Sequence, residues 1–272
     1  MKRNDDIKKI TETNREAWNE ATLVHQKARK DDLLIKFSRP GYSTLDKTET
    51  EILKEIGIEG KTVAQLCCNN GRETLSLVNL GAKSAVGFDL SDKAIEEALK
   101  LKEISGLNCR FVRTDVYNID PKYFGLFDIV YISIGALSWL PDLDLFFEIA
   151  SNMLKSGGAL FIYEMHPVTN MVSREDEPEY NPQMPYNNCY SYFRKEPWVA
   201  TTGFDYVGGT KYDSKPSYSY SYPLADIING IIKSGITIKR FNEYPHDISA
   251  IFEDLEKDGI LPLSYILLGE KI

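Results

Sequence analysis

The stretch at residues 62–71 reads T-V-A-Q-L-C-C-N-N-G. Its first half is short and mainly apolar, as in a buried strand, and its second half is a polar turn that ends at Gly71. The residues that follow, E-T-L-S-L-V-N-L, have the spacing of an amphipathic helix, with Gly81 as its C-terminal stop. The pattern therefore predicts a strand, a tight turn and a helix.

The same alternation continues as far as residue 165. Four more strands are predicted at S-A-V-G-F-D, C-R-F-V-R, F-D-I-V-Y-I-S-I and A-L-F-I-Y-E-M, with K-S-G-G as a turn before the last. In the helix after the second strand, Ser91 is the expected N-cap, and Ile95, Ala98 and Leu99 are the expected buried stripe. Apolar strands that alternate with amphipathic helices indicate an α/β fold, with a parallel sheet covered on both faces.

The rhythm breaks at residues 166–222, which are rich in Tyr, Pro, Asn, Ser and Gly. This stretch is too long for an ordinary connection, so we interpret it as an insertion that covers one end of the sheet. Within it, Y-S-Y-S-Y at residues 218–222 alternates like a strand. A helix ending at Gly235, a sixth strand at T-I-K-R-F-N-E-Y and a seventh at L-S-Y-I-L-L-G complete the pattern.

Composition limits the classes of function. The chain has 272 residues, of which 43% are hydrophobic, and a formal net charge of -8. This acidic balance argues against binding to nucleic acid, which needs a basic surface. No apolar stretch is long enough for a signal peptide or a membrane span, and the four cysteines lack metal-ligand spacing. We expect a soluble cytoplasmic protein with reduced thiols, no bound metal and no membrane contact.

From residue 45 onward the chain resembles the class I S-adenosylmethionine-dependent methyltransferases. The matching pieces, in order, are V-A-Q-L-C-C-N-N-G-R, G-F-D-L-S, R-T-D-V, F-D-I-V-Y-I-S-I, L-K-S-G-G-A-L-F-I-Y-E and L-P-L-S-Y-I-L-L-G-E-K. The resemblance implies a Rossmann-like, seven-stranded, mostly parallel sheet with helices on both faces. It also implies one domain: an N-terminal helical cap (1–44), a cofactor-binding core (45–165), a Tyr-rich insertion or lid after strand five (166–222) and the C-terminal part of the core (223–272).

The resemblance also implies a binding site for S-adenosylmethionine at the turn after the first strand. In the family this turn has the pattern G-x-G-x-G after an acidic residue, and the matching residues here are Cys67, Cys68, Asn69 and Gly71. Only the last glycine is present, and Gln65 replaces the acid. Asn tolerates positive φ better than most residues, so Asn69 is expected to replace one glycine. Cys67 and Cys68 are expected to be small buried residues without thiol chemistry.

Asp89 ends the second predicted strand, where an acid can accept hydrogen bonds from both ribose hydroxyls. The alternative is a charge at a helix N-terminus, which contributes little to stability. For Asp115, the resemblance implies that its carboxylate accepts a hydrogen bond from the exocyclic amine of adenine. The alternative is an acid in a solvated loop. The resemblance places the remaining cofactor contacts at Leu90, Val116, Ile134 and Gly135.

For the chemistry, a small-molecule acceptor must be positioned and water excluded, and a neutral acceptor benefits from a general base. His166, just past the fifth strand, is the first candidate base, and His25, on the N-terminal cap, is the second. A structural role is the alternative for both. Predicted substrate contacts are Trp139, Tyr190, Tyr192 and Tyr206. Core packing remains an alternative role for Trp139. For the three tyrosines, a surface hairpin or a homodimer contact remains an alternative.

Two other functions remain open at this point. A nicotinamide-dependent reductase shares the turn and the ribose acid, although the chain has no Ser/Tyr-x-x-x-Lys pair for that chemistry. A non-catalytic module of methyltransferase type could result from the altered glycine turn. The N-P-P-Y signature of enzymes that methylate base amino groups is absent, which argues against DNA adenine as the acceptor.

Overall fold

The structure, a computed structural model, describes residues 2–29, 32–175 and 177–272. Its helices are α1 (Lys2–Ala28), α2 (Leu33–Phe37), α3 (Lys47–Glu55), α4 (Arg72–Asn79), α5 (Asp92–Ser105), α6 (Leu143–Met153), α7 (Leu224–Lys233) and α8 (Glu253–Glu256). Its strands are β1 (Thr62–Leu66), β2 (Ser84–Asp89), β3 (Cys109–Arg113), β4 (Phe127–Ser133), β5 (Leu154–Met165), β6 (Trp198–Thr202), β7 (Asp213–Ser219), β8 (Ile236–Tyr244) and β9 (Ser264–Lys271). The predicted cap and insertion contain residues 1, 30, 31 and 176, which lie outside the described residues.

The main sheet has the strand order β3-β2-β1-β4-β5-β9-β8. The pairs among β1 to β5 are parallel, and β9 is antiparallel to both of its neighbours. This confirms the predicted seven-stranded, mostly parallel sheet. The chain builds outward from β1 to β3 and then returns to the other side of β1 with β4. In such sheets ligands bind beyond the carboxyl ends of the strands, where the order reverses.

Helices cover both faces of this sheet, as predicted. Ala64 and Leu66 of β1 lie in the core under α6 and α7, whereas Val63 lies in the core under α3, α4 and α5. Alternate residues of a strand point to opposite faces, so a strand that is apolar at every position is buried on both sides. The continuous apolar runs in the sequence have this origin.

Three local predictions were wrong. Leu99 is 46% exposed, and Leu101 takes its place in the buried stripe of α5, because position 99 lies about 100° around the helix from position 98. Residues 155–158, predicted as a turn, lie within β5, where Gly157 has φ +73° and the pairing with β4 is irregular. β7 ends at Ser219, so the Y-S-Y-S-Y segment is only partly a strand.

The insertion after β5 is confirmed, and it has two parts with different supports. Its first part packs on the connection between β8 and β9, where Val172 shares a small apolar cluster with Phe252 and Leu255. Its second part is the antiparallel hairpin β6–β7, which lies against α1. The Asn14 side chain on α1 both donates to and accepts from the backbone of Tyr218, at 2.9 and 2.7 Å. Among the described residues, no helix is long and apolar enough to cross a membrane.

Candidate active site

The turn after β1 keeps the backbone of a glycine-rich loop without most of the glycines. Cys67, Asn69 and Gly71 have φ values of +55°, +47° and +73°. These are the three positions that match the glycines of G-x-G-x-G. The left-handed conformation costs an ordinary residue roughly 1–2 kcal/mol, and such strain persists where the surroundings fix it, often at functional sites. Asn69 was expected to adopt it; Cys67 does so as well, which sequence reasoning missed.

Gly71 packs against the core behind the turn, and its contact with a cofactor stays a prediction. A Cβ at this position would lie 2.3 Å from Cε1 of Phe111 and 3.1 Å from Cβ of Ala98, both in the core behind the turn. The glycine is therefore required by packing between the turn, α5 and β3, together with its positive φ.

Asp89, at the end of β2, is joined directly to this turn. Its Oδ2 accepts from the backbone N–H of Asn69 at 2.7 Å, and its Oδ1 accepts from that of Ser91 at 2.8 Å. The side chain is buried, and desolvation raises its pKa to about 6, against the opposing effect of these hydrogen bonds. The structure therefore brings the predicted ribose acid and the predicted cofactor turn together. The ribose contact itself stays a prediction.

The predicted adenine edge lies beyond β3. Asp115 accepts from the backbone N–H of Tyr117 at 3.0 Å and begins the short helix Val116–Asn118. It lines a cavity of about 250 Å³ between this edge and α1, together with Lys8, Thr11, Glu12, Arg113, Thr114 and Asn118. Leu90 is half-buried next to Asp89, and Val116 is buried.

Cys67 is half-buried and not fully buried as expected, and the charges of three acids act on it. Burial, and then the charges of Asp89, Asp115 and Glu164, raise its pKa well above the usual value. A thiol in such surroundings stays protonated, in agreement with the expected absence of thiol chemistry. Acids from the ends of β2 and β5 and from the segment after β3 thus add negative potential at Cys67. Carboxylates around this region suit a ligand with positive charge, as S-adenosylmethionine carries on its sulfonium and amino groups.

Glu164 was not selected from the sequence. Its Oε2 accepts from the N–H of Gly135 at 2.6 Å and its Oε1 from that of Leu137 at 3.0 Å, so it holds the segment after β4. It is 3% exposed, and burial raises its pKa to about 7. Next to it, Ile134 is 39% exposed and Gly135 has φ +80°. An acid at the end of a buried strand was the available signal.

His166, the first candidate base, is held by residues on both sides of it. Its Nδ1 accepts from the N–H of Val168 at 3.1 Å, and its Nε2 lies 2.9 Å from Oε1 of Glu243 on β8. Desolvation lowers its pKa, and Glu243 opposes that shift. The Nδ1 atom is thus bound within the protein, whereas Nε2 lies close to Glu243 without a hydrogen bond of good geometry. A role of His166 as a base stays a prediction, beside the structural alternative.

His25 is also engaged within the protein. Its Nε2 is 2.9 Å from the carbonyl oxygen of Phe204, and its ring centroid is 4.3 Å from that of Tyr206. It is buried, and desolvation lowers its pKa. His25 therefore joins α1 to the insertion, and we do not propose it further as a base.

Three aromatic rings from distant parts of the chain meet beside these residues. Trp18 of α1, Trp139 after β4 and Phe204 of the insertion have pairwise centroid distances of 5.1, 4.8 and 5.0 Å. We call these three residues the aromatic cover. Phe204 was missed by sequence reasoning, because nothing local marks it.

The predicted substrate tyrosines are spread over several places. Tyr206 packs on His25, next to the aromatic cover. Tyr192 accepts from the N–H of Leu224 at the start of α7, at 3.0 Å. Tyr190 packs on Trp198 within the insertion. These three tyrosines therefore do not form one pocket wall.

Comparisons with known proteins agree with this geometry. Residues 63–158 match the family described as methyltransferase domain. The ribosomal RNA large subunit methyltransferase I of Aeromonas hydrophila is 28% identical over 145 residues, which cover 46% of this chain and 36% of that protein. The protein 235L of Invertebrate iridescent virus 6 is 31% identical over 163 residues, which cover 56% of this chain and 52% of that protein. The matches thus span between about a third and a half of these relatives' length.

Solved structures have the same fold. An S-adenosylmethionine-dependent methyltransferase from Mesorhizobium loti superposes with a TM-score of 0.54 at 18% identity, over 81% of this chain and 96% of that one. The geranyl diphosphate C-methyltransferase of Streptomyces coelicolor gives 0.54 at 12% identity, over 83% and 79%. At these identities the likeness establishes the fold.

Proposed function

We propose that this protein transfers a methyl group from S-adenosylmethionine to a small molecule. Residues 63–158 match a methyltransferase domain, and the fold is that of solved S-adenosylmethionine-dependent methyltransferases. The observation that carries the proposal is the turn at residues 67–71. Three left-handed residues and the bond between Asn69 and Asp89 keep the shape of a cofactor loop although two glycines are replaced. This argues against a degraded, non-catalytic module.

Different residues have different proposed roles in holding the cofactor and the acceptor. The backbone of the turn and Asp89 are proposed to hold the amino-acid and ribose parts of the cofactor, and Asp115 the adenine. Glu164 holds Gly135 through its backbone N–H, and this segment is proposed to lie beside the methyl group. The bound cofactor supplies an electrophilic methyl carbon on a sulfonium. The aromatic cover then excludes water, which leaves positioning as the main contribution of the protein.

Charge supports a small-molecule acceptor over nucleic acid. The insertion at residues 166–222 contains seven acidic and five basic residues, and the whole chain has a net charge of -8. A surface that binds RNA must neutralise phosphates with Lys and Arg. The Aeromonas relative is named for ribosomal RNA, but the match covers 36% of that protein. The acidic insertion beside the site favours an acceptor without phosphate groups.

Calorimetric titration, together with thermal unfolding, tests the proposal. S-adenosylmethionine and its demethylated product S-adenosylhomocysteine should both bind and raise the melting temperature, whereas NADH should do neither. Binding of NADH without S-adenosylhomocysteine would point to a reductase instead. A yeast tRNA and a 20-base-pair RNA duplex, titrated at physiological salt, should not bind; tight binding would contradict the small-molecule acceptor.

A further inference from the structure

A small second cavity lies next to the predicted methyl position. It is bounded by the segments after β4 and β5, the end of the insertion, and β9. Its volume is about 30 Å³, which is more than the minimum that one water molecule needs and is enough for a small chemical group. The lining includes Ser138, Glu164, Asn170, Tyr220, Tyr222 and Tyr265.

The Tyr265 hydroxyl is the first sign of a ligand. The side chain is fully buried, and its oxygen has no hydrogen-bond partner among the described residues. Buried polar groups are nearly always paired, and an exception calls for an explanation. Burial, and then the charge of Glu164, raise the pKa of this phenol well above its usual value, so the hydroxyl is neutral and can both donate and accept.

The charge of the cavity is the second sign. Glu164 is buried, accepts only backbone N–H groups, and has no ion pair among the residues that the structure describes. The cavity lining contains no Lys, Arg or His. A buried carboxylate without a cation is costly, and a positively charged group would offset that cost.

Aromatic rings supply a further preference for a cation. Tyr220 and Tyr222 stack with centroids 5.9 Å apart and 19° between their planes. The backbone N–H of Tyr220 donates to the carbonyl of Ser138 at 2.7 Å, which fixes the rings to the segment after β4. Faces of aromatic rings attract cations, and a set of tyrosines around a carboxylate is suited to an ammonium group.

We propose that this cavity binds the amine end of the methyl acceptor, as an ammonium group held by Glu164, the Tyr265 hydroxyl and the rings of Tyr220 and Tyr222. The inference rests on the proposed methyltransferase function and narrows its substrate class to small primary or secondary amines. For transfer, the ammonium group gives one proton to the Glu164 carboxylate. The nitrogen lone pair then forms a bond to the methyl carbon while the carbon–sulfur bond breaks, and its electron pair stays on sulfur.

Three probes with one scaffold test the preference: benzylamine, benzyl alcohol and benzoate, each titrated by calorimetry into protein saturated with S-adenosylhomocysteine. Benzylamine should bind about tenfold more tightly than benzyl alcohol, as a desolvated cation–π contact and an ion pair together allow. Benzoate should bind least, because its charge repels Glu164. Tyr265→Phe should weaken benzylamine binding about fivefold to tenfold and leave S-adenosylhomocysteine binding unchanged. Tyr123→Phe, at a buried tyrosine outside the cavity, is the matched control and should change neither.

Several outcomes would overturn the inference. These are benzoate binding as tightly as benzylamine, no probe binding to the saturated protein, or Tyr265→Phe behaving like Tyr123→Phe. If Glu164→Gln weakens S-adenosylhomocysteine as much as benzylamine in a folded protein, the carboxylate serves the cofactor and not the acceptor. Failure of S-adenosylhomocysteine itself to bind would instead contradict the proposed function.

Discussion

At the scale of single residues, the turn after β1 joins a strained backbone to a buried acid. Cys67 and Asn69 adopt the left-handed conformation that glycine normally supplies. Asp89, named from its position after a strand, does lie against this turn. Phe204 could not be selected, because its partners come from distant segments and no local spacing records that convergence. Glu164 had a local signal, its place at the end of a buried strand, but nothing in the sequence showed that it binds the backbone of Gly135.

The pKa of Asp89 makes a prediction about pH. The value of about 6 means that the carboxylate is mostly ionised at pH 7.5 and becomes protonated as the pH falls through 6. Only the ionised form can accept from both ribose hydroxyls, so the affinity for S-adenosylhomocysteine should fall below pH 6. Asp89→Asn should lose about 1.5–3 kcal/mol of binding free energy at pH 7.5, roughly ten- to hundredfold, and show little pH dependence between 5 and 8. Calorimetry across this range, with circular dichroism as the folding control, checks both; a parallel pH profile in the variant would remove Asp89 from the site.

Gly71 and Gly106 give a matched pair for the role of packing. Both have positive φ, +73° and +65°, but a Cβ at Gly106 meets nothing within 4 Å, whereas one at Gly71 meets Phe111. Gly106→Ala should lower the free energy of unfolding by about 1 kcal/mol, the cost of the backbone conformation alone. Gly71→Ala should lower it by roughly 1–3 kcal/mol more, because the core is overpacked. Urea unfolding measures both values. Equal losses of the free energy of unfolding would mean that the core accommodates the Cβ of residue 71 without overpacking.

At the scale of elements, the periodic part of the chain was predictable and the aperiodic part was not. Strands buried on both faces and helices with one apolar stripe leave a signal in every window of sequence, so β1 to β5 were found in order. The insertion has no such period, and its hairpin β6–β7 depends on partners outside itself, such as Asn14 and Glu20 of α1. The hydrogen bonds that the hairpin makes to α1 could not be derived from the spacing of residues in the sequence.

The contact between α1 and β7 leads to a prediction for the hairpin. Asn14→Ala removes two hydrogen bonds to the backbone of Tyr218, and should lower the free energy of unfolding by about 1–2 kcal/mol. It should also make residues 198–219 more sensitive to limited proteolysis. Thr13→Ala is the control, since this exposed hydroxyl bonds only to Lys9 within the same helix. If cleavage in the hairpin is the same in both variants, α1 does not hold the hairpin in place.

At the scale of the whole molecule, α1 connects the proposed cofactor site to the aromatic cover. Its Asn19 accepts from the hydroxyl of Ser91 at 2.8 Å and donates to Asp92 at 3.0 Å, next to Asp89. Further along, His25 and Trp18 contact Phe204 of the insertion. The first part of the insertion has other supports, where the Tyr180 and Tyr186 hydroxyls donate to Asp254 and Asp258. The acid at the end of β2 is thus linked through α1 to the part of the insertion that contains Phe204.

This arrangement makes a prediction for hydrogen exchange. S-adenosylhomocysteine bound between Asp89 and α1 should stabilise α1 in its docked position, by about 2.7 kcal/mol at a ligand concentration of about 100 times Kd. Opening of the β6–β7 hairpin should become rarer with it, because the hairpin rests on α1. We therefore expect slower amide exchange in residues 62–91, in α1 and at 198–219, with little change at 172–188 and 250–258. Exchange measured by mass spectrometry with and without ligand checks the pattern. Equal protection of both parts would mean that the insertion moves as one lid, and protection confined to 62–91 would mean that α1 does not transmit cofactor binding to the cover.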